Sequence, residues 1–227
     1  MTTILLDKEE LEKNKLIQAN SRYLVILSKL KFYKTLVTFH FVSSELKRGK
    51  KGIVVTPNRT IPIEILIEKF LNTKEQLSKL LVVSLTDLNQ ELAFFKKLPI
   101  FLLRNKIDFL FFDEPSENYY YYISKDAMDE EKFRNSTKMF LWERAFLKEI
   151  SKKNNLSVFE SYSIVEQGTL KTEQPILRDL LEIWPDVIIE VEVNKEIYLN
   201  FLYGGNRNKF KLIFKEKEGK IELEQRT

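Results

Sequence analysis

Tyr23-Leu24-Val25-Ile26-Leu27-Ser28-Lys29-Leu30-Lys31-Phe32-Tyr33-Lys34-Thr35 is the stretch on which the reading of this chain turns. Tyr23–Leu27 has the unbroken apolar character of a strand covered on both faces. Beyond Thr35, the apolar positions Leu36, Val37, Phe39, Phe41 and Val42 surround most of a helix running to about Lys47. Lys47-Arg48-Gly49-Lys50-Lys51-Gly52 is a basic turn, its cations matched to the negative end of the helix dipole. A second strand follows at Gly52–Val55. Strand, a segment Ser28–Thr35 ending in Lys-Thr, helix, strand is the spacing of a phosphate-binding loop, GxxxxGK[ST]. Ser28 and Tyr33 occupy its two glycine positions, so the layout is present and its conformational requirements are not.

The bulk composition narrows the classes. At 227 residues and 44% hydrophobic, the chain is long enough for one sizeable core and too apolar for wholesale disorder. A net charge of +4 is compatible with a nucleic-acid partner without demanding one. With no cysteine, thiolate metal sites and disulfides are excluded, and an intracellular protein is expected, its compartment not fixed by this. His40 is the single histidine, which removes histidine-based metal clusters. No apolar run reaches about 18 residues, so no membrane partner is expected.

Along the chain, residues 1–21 read as a polar lead-in arm with a short helix over Lys8–Gln18, and 22–227 as a single core domain. Pro57 ends the second strand; a helix over Ile61–Leu71 and a strand at Leu80–Leu85 follow. Asp87 caps a helix from Leu88 to Leu98, with Pro99 at its end. Ile107–Glu114 is the strongest strand, nearly continuous apolar residues closing in acid. Pro115–Asp129 reads as a loop carrying Tyr119, Tyr120, Tyr121 and Tyr122. Glu130–Lys153 is a long amphipathic helix whose stripe of Phe133, Met139, Trp142, Phe146 and Ile150 reads as core. Leu156–Ser163, Trp184–Val193, Ile197–Tyr203, Lys209–Lys215 and Lys220–Glu224 complete the strands, with Gly204-Gly205-Asn206 as a hairpin signal. Alternating β and α followed by a β-meander predicts an α/β fold: a mostly parallel sheet flanked by helices with a C-terminal antiparallel extension.

This order of segments over Arg22–Glu224 resembles the RecA/RadA recombinase family, and within it the small archaeal RadA paralogues that consist of little more than the ATPase core. Ser28–Thr35 falls on the family's phosphate loop, and Ile107–Asp113 resembles its Walker B strand. Gly52–Arg59 falls on the strand that carries the family's water-activating glutamate, where Asn58 now stands. The nucleotide-sensing glutamine falls near Ser163. The resemblance implies a RecA-like core with a vestigial nucleotide site of Ser28, Tyr33, Lys34, Thr35 and Asp113. With the glycines and the general base gone, a pseudo-ATPase is expected, with no catalytic residue, no resident metal and no required cofactor, ATP and Mg²⁺ included.

The same resemblance places the loop Gln167–Asp179, with Lys171 and Arg178, where the family's second DNA loop lies. Lys152, Lys153, Arg207, Lys209 and Lys211 would extend a phosphate-neutralising face. Tyr119–Tyr122 would stack on unpaired bases or meet a protein partner. The implied partners are single-stranded or branched DNA and a recombinase or another RecA-family paralogue. The implied location is cytoplasmic and nucleoid-associated. Two readings stay open beside this one: a DNA-dependent NTPase using Lys34, Thr35 and Asp113 with Glu114 as base, and a purely structural subunit of a paralogue complex. A nuclease built on Asp186, Glu190, Glu192 and Lys195 is disfavoured, because Glu190-Val191-Glu192 puts an acid where that motif wants lysine. Solvated lysines and self-packed tyrosines account for the basic and aromatic features equally well.

Overall fold

The computed structural model describes residues 3–5, 8–13, 15–18, 20–57, 71, 73–124, 130–163, 183–194, 197–203, 206–215 and 220–225. Its ten described strands are β1 (Thr3–Leu5), β2 (Tyr23–Ser28), β3 (Gly52–Pro57), β4 (Leu80–Leu85), β5 (Phe109–Asp113), β6 (Ser157–Ser163), β7 (Val187–Val193), β8 (Ile197–Tyr203), β9 (Asn206–Lys215) and β10 (Lys220–Gln225). The helices are α1 (Lys8–Lys13), α2 (Lys31–Lys47), α3 (Lys74–Ser78), α4 (Leu88–Arg104), α5 (Glu117–Ser124) and α6 (Glu130–Lys153). The expected helix over Ile61–Leu71 lies, but for Leu71, outside the described residues.

All ten strands join one sheet in the order β1-β10-β9-β8-β7-β2-β6-β5-β3-β4. From β7 to β4 the pairings are parallel; from β7 to β1 they are antiparallel. Burial explains the division. Parallel strands need helices on both faces, and the runs YLVILS and FLFFD are buried at every position.

Successive side chains of a strand point to opposite faces, which splits the core in two. Leu24, Ile26, Phe109, Phe111 and Phe159 face one way and pack on α1 and α2 through Leu11, Val37, Phe41 and Val42. Tyr23, Val25, Leu110, Phe112 and Val158 face the other way, against Phe95 and Leu98 of α4 and Phe140 and Leu147 of α6. Phe95 and Phe112 stack at 5.5 Å between ring centroids, and Phe41 meets Phe159 at 5.6 Å. Gly52 is required by close approach, since a Cβ there would lie 2.0–2.3 Å from ring carbons of Phe109.

The N-terminal residues do not form a separate arm. Thr3–Leu5 pairs with β10 as the last strand of the sheet, Leu11 is fully buried, and Leu16 and Ile17 enter the same core. Pro99 does not end α4 either; the helix continues through it to Arg104. Asp87 caps that helix as expected, accepting the Gln90 N–H at 2.9 Å.

Candidate functional site

β2 leads to β3 across the β6 side, whereas β6 leads to β7 on the far side of β2. Adjacent strands whose connections depart in opposite directions open a crevice at their C-terminal ends, the usual ligand position in open α/β sheets. Ser28, Lys34, Asp113, Glu114 and Ser163 all belong to strand ends or first turns at this edge.

The crevice is closed by the protein's own groups. Only Lys29 and Leu30 separate β2 from α2, so the expected eight-residue loop does not exist and Lys34-Thr35 sits inside the helix. Without glycines to hold the segment open, Lys31–Tyr33 adopts the helical conformation that these residues tolerate well. The Tyr33 and Lys34 N–H groups donate to the Leu30 carbonyl at 3.2 and 3.3 Å. Amides that would have faced a phosphate are thereby spent within the first helical turn. Ser28 Oγ accepts the Leu30 N–H at 3.1 Å, which fixes the short connection from the other side.

Lys34 is fully buried. Its Nζ donates to Asp113 Oδ1 at 3.0 Å and, at shorter range, to Glu114 Oε1. Asp113 Oδ1 also accepts from Ser161 Oγ at 2.6 Å. Glu114 has a left-handed backbone, φ 46°, and its N–H donates to the Ser161 carbonyl at 2.9 Å. Glu114 Oε2 accepts the Ser163 N–H at 3.1 Å, and Ser163 Oγ donates to Glu114 Oε1. Glu117 follows on α5, its carboxyl pushed up by burial first and then by its acidic neighbours, Lys31 opposing. One ammonium thus faces two carboxylates and a third close by. Phosphate oxygens would have to displace Asp113 and Glu114 to reach Lys34. Among the described residues no group of three or more acids or histidines is arranged to hold a metal ion.

The other expected site residues divide. Thr35 is half-buried in α2. Lys152 and Lys153 are exposed at the end of α6, beside the N-terminal end of β6. The segment Gln167–Asp179 lies outside the described residues. Lys171, Arg178 and Asn58 lie outside the described residues. Arg207, Lys209 and Lys211 are on β9, paired in register with Leu202, Asn200 and Tyr198. The tyrosines sit on a helix, α5, not in a loop. Tyr119 is buried against Phe140 at 5.2 Å, while Tyr122 is partly exposed. Tyr120 and Tyr121 are on the same helix. Asp186 is a staple, not a nuclease acid: it accepts the Arg22 and Tyr23 N–H groups at 2.8 and 3.0 Å and pairs with Lys148.

Sequence reasoning passed over Glu114 as a partner of Lys34, and the supporting Ser161 and Ser163. The adjacent acids ending an apolar strand were visible; that they answer a lysine beyond the first strand was not.

Fold and site together define an α/β protein with an open, mixed sheet whose switch-point crevice is filled by an internal ion pair. Comparison with models of known protein families gives no match, and no curated protein matches the chain.

Proposed function

We propose that this is a RecA-like accessory protein of homologous recombination that binds DNA and a recombinase or paralogue partner without turning over ATP. The observation that carries the non-catalytic part is the capture of Lys34 by Asp113 and Glu114. A lysine at the phosphate-loop position, on the helix after the first parallel strand, meets the acid at the end of an apolar strand two places away in the sheet. This juxtaposition supports the resemblance, on which carboxylates would stand where phosphate oxygens bind. A protein with its counter-ion built in folds and keeps its shape without nucleotide. The recombination context and the partners rest on the order of segments from Arg22 to Glu224.

Fluorescence anisotropy with single-stranded, duplex and branched DNA, repeated across a salt series, tests the DNA half. We expect affinity to fall linearly on a log–log plot against salt, by about 0.7 of a decade per decade of salt for each single-strand phosphate neutralised. Charge reversal of Lys171 and Arg178 should weaken binding and flatten that slope. Salt-independent or absent binding would leave the structural-subunit role.

A further inference from the structure

A second set of buried charged groups lies on the opposite face of the sheet. Arg144, Glu143, Glu160 and Glu91 are each at most 2% exposed. Glu160 on β6 draws three groups: Arg144 Nε lies 2.8 Å from its Oε1, though not well directed at it, and Tyr23 Oη and Tyr162 Oη donate to its Oε2 at 2.6 and 2.9 Å. One guanidinium is thereby matched with one carboxylate, and Arg144 also lies over the Phe140 ring at 4.4 Å. Two more carboxyl groups remain in the same dry region. Glu91, from the first turn of α4, accepts from Asn118 Nδ2 of α5 at 2.9 Å, and its carboxyl interacts with that of Glu143 on α6. Glu143 keeps only a longer contact, 3.6 Å, to Arg144 Nη2, with Tyr119 Oη of α5 in reach. Both Glu143 oxygens otherwise lack a well-directed donor.

Two carboxylates sharing a water-excluded site do not both ionise, and a proton between them supplies the missing donor. We infer that Glu91 and Glu143 share a buried proton that fastens α4, α5 and α6 to the sheet, and that its loss in the alkaline range loosens this helical layer. The groups facing the pair are Asn118 and Tyr119 from α5, Arg144 from α6, and Glu160, Tyr162 and Tyr23 from the sheet; Lys148, 6.0 Å over the Tyr23 ring, is held by Asp186.

Burial first, and then mutual repulsion, pushes Glu143 up to about 9; burial lifts Glu91 to about 7, against an ordinary 4.5. A carboxyl raised on folding contributes most stability below its unfolded value. That contribution is lost as pH climbs from about 4.5 through the folded values. While the shared proton is being lost, the unfolding constant should rise by up to about tenfold per pH unit.

Infrared spectroscopy of the native protein at pH 7.5 reads the proton directly. We expect a carboxylic-acid C=O band that vanishes on unfolding and is missing from Glu143→Gln, in which the alkaline loss of stability also flattens. Native protein without that band, or a band unchanged in a folded Glu143→Gln, overturns the assignment. If Glu143→Gln does not fold, Glu91→Gln takes its place, and the wild-type band alone still decides whether the proton is there.

Discussion

At Lys34 two energies oppose each other: the loss of hydration of a fully buried ammonium, and its attraction to Asp113 at 3.0 Å and to Glu114. Pairs of this kind add little net stability over an apolar replacement, but removing one partner leaves a buried charge uncompensated. Lys34→Met alone should therefore cost about 3–5 kcal/mol in urea unfolding. Lys34→Met with Asp113→Asn and Glu114→Gln should recover most of it; a triple variant as unstable as the single would mean that the acids are not Lys34's counter-ions. Gly52→Ala is the complementary test, because its Cβ would enter the Phe109 ring. A loss of about 1–3 kcal/mol is expected, with Phe109→Leu restoring part of it. Lys34 and Asp113 were both legible in the sequence as chemistry-bearing positions. Their pairing was not, because it depends on where α2 begins, and a motif template sets that start at the lysine.

Elements buried on both faces were read well from the sequence. Continuous apolar runs such as Tyr23–Leu27 and Phe109–Phe112 can hardly be anything but covered strands, and β8 was placed at the residues observed. Helix faces were read less well. Of the stripe Phe133, Met139, Trp142, Phe146 and Ile150, Ile150 is buried and Met139 and Phe146 pack partly buried on the same core, while the most deeply buried face of α6 also takes in Phe140, Glu143, Arg144 and Leu147. Charged residues are expected in water, so nothing in the sequence singled out Glu143 and Arg144 as buried, although their spacing from Phe140 and Leu147 is helical. Trp142, by contrast, is nearly half exposed. The N-terminal segment was misjudged because its polar composition conceals Leu11, Leu16 and Ile17. Leu11→Ala should cost about 2–5 kcal/mol, as for a core leucine. A loss under about 0.5 kcal/mol, the usual range for surface changes, would return the segment to the status of an arm.

For the whole molecule, two buried groups set opposite pH limits. His40 is held neutral, its pKa pushed down to about 3 from 6.5, by burial first and then by Lys47. A lowered histidine favours the folded state fully above about 6.5 and loses that advantage as pH falls toward 3. His40→Leu should flatten the acid side of a stability–pH curve and leave the alkaline side, governed by Glu91 and Glu143, unchanged; an unaltered acid limb would place the acid sensitivity elsewhere. The closed crevice is the central claim, and a thermal-shift titration with ATP and a slowly hydrolysed analogue, with and without Mg²⁺, tests it most directly. A ligand bound only by the folded protein at about 100 times its Kd would add roughly 2.7 kcal/mol of apparent stability. With Lys34 already paired, no shift is expected at millimolar nucleotide. A clear Mg²⁺-dependent rise in melting temperature would contradict it, since phosphate would then have displaced Asp113 and Glu114 from Lys34.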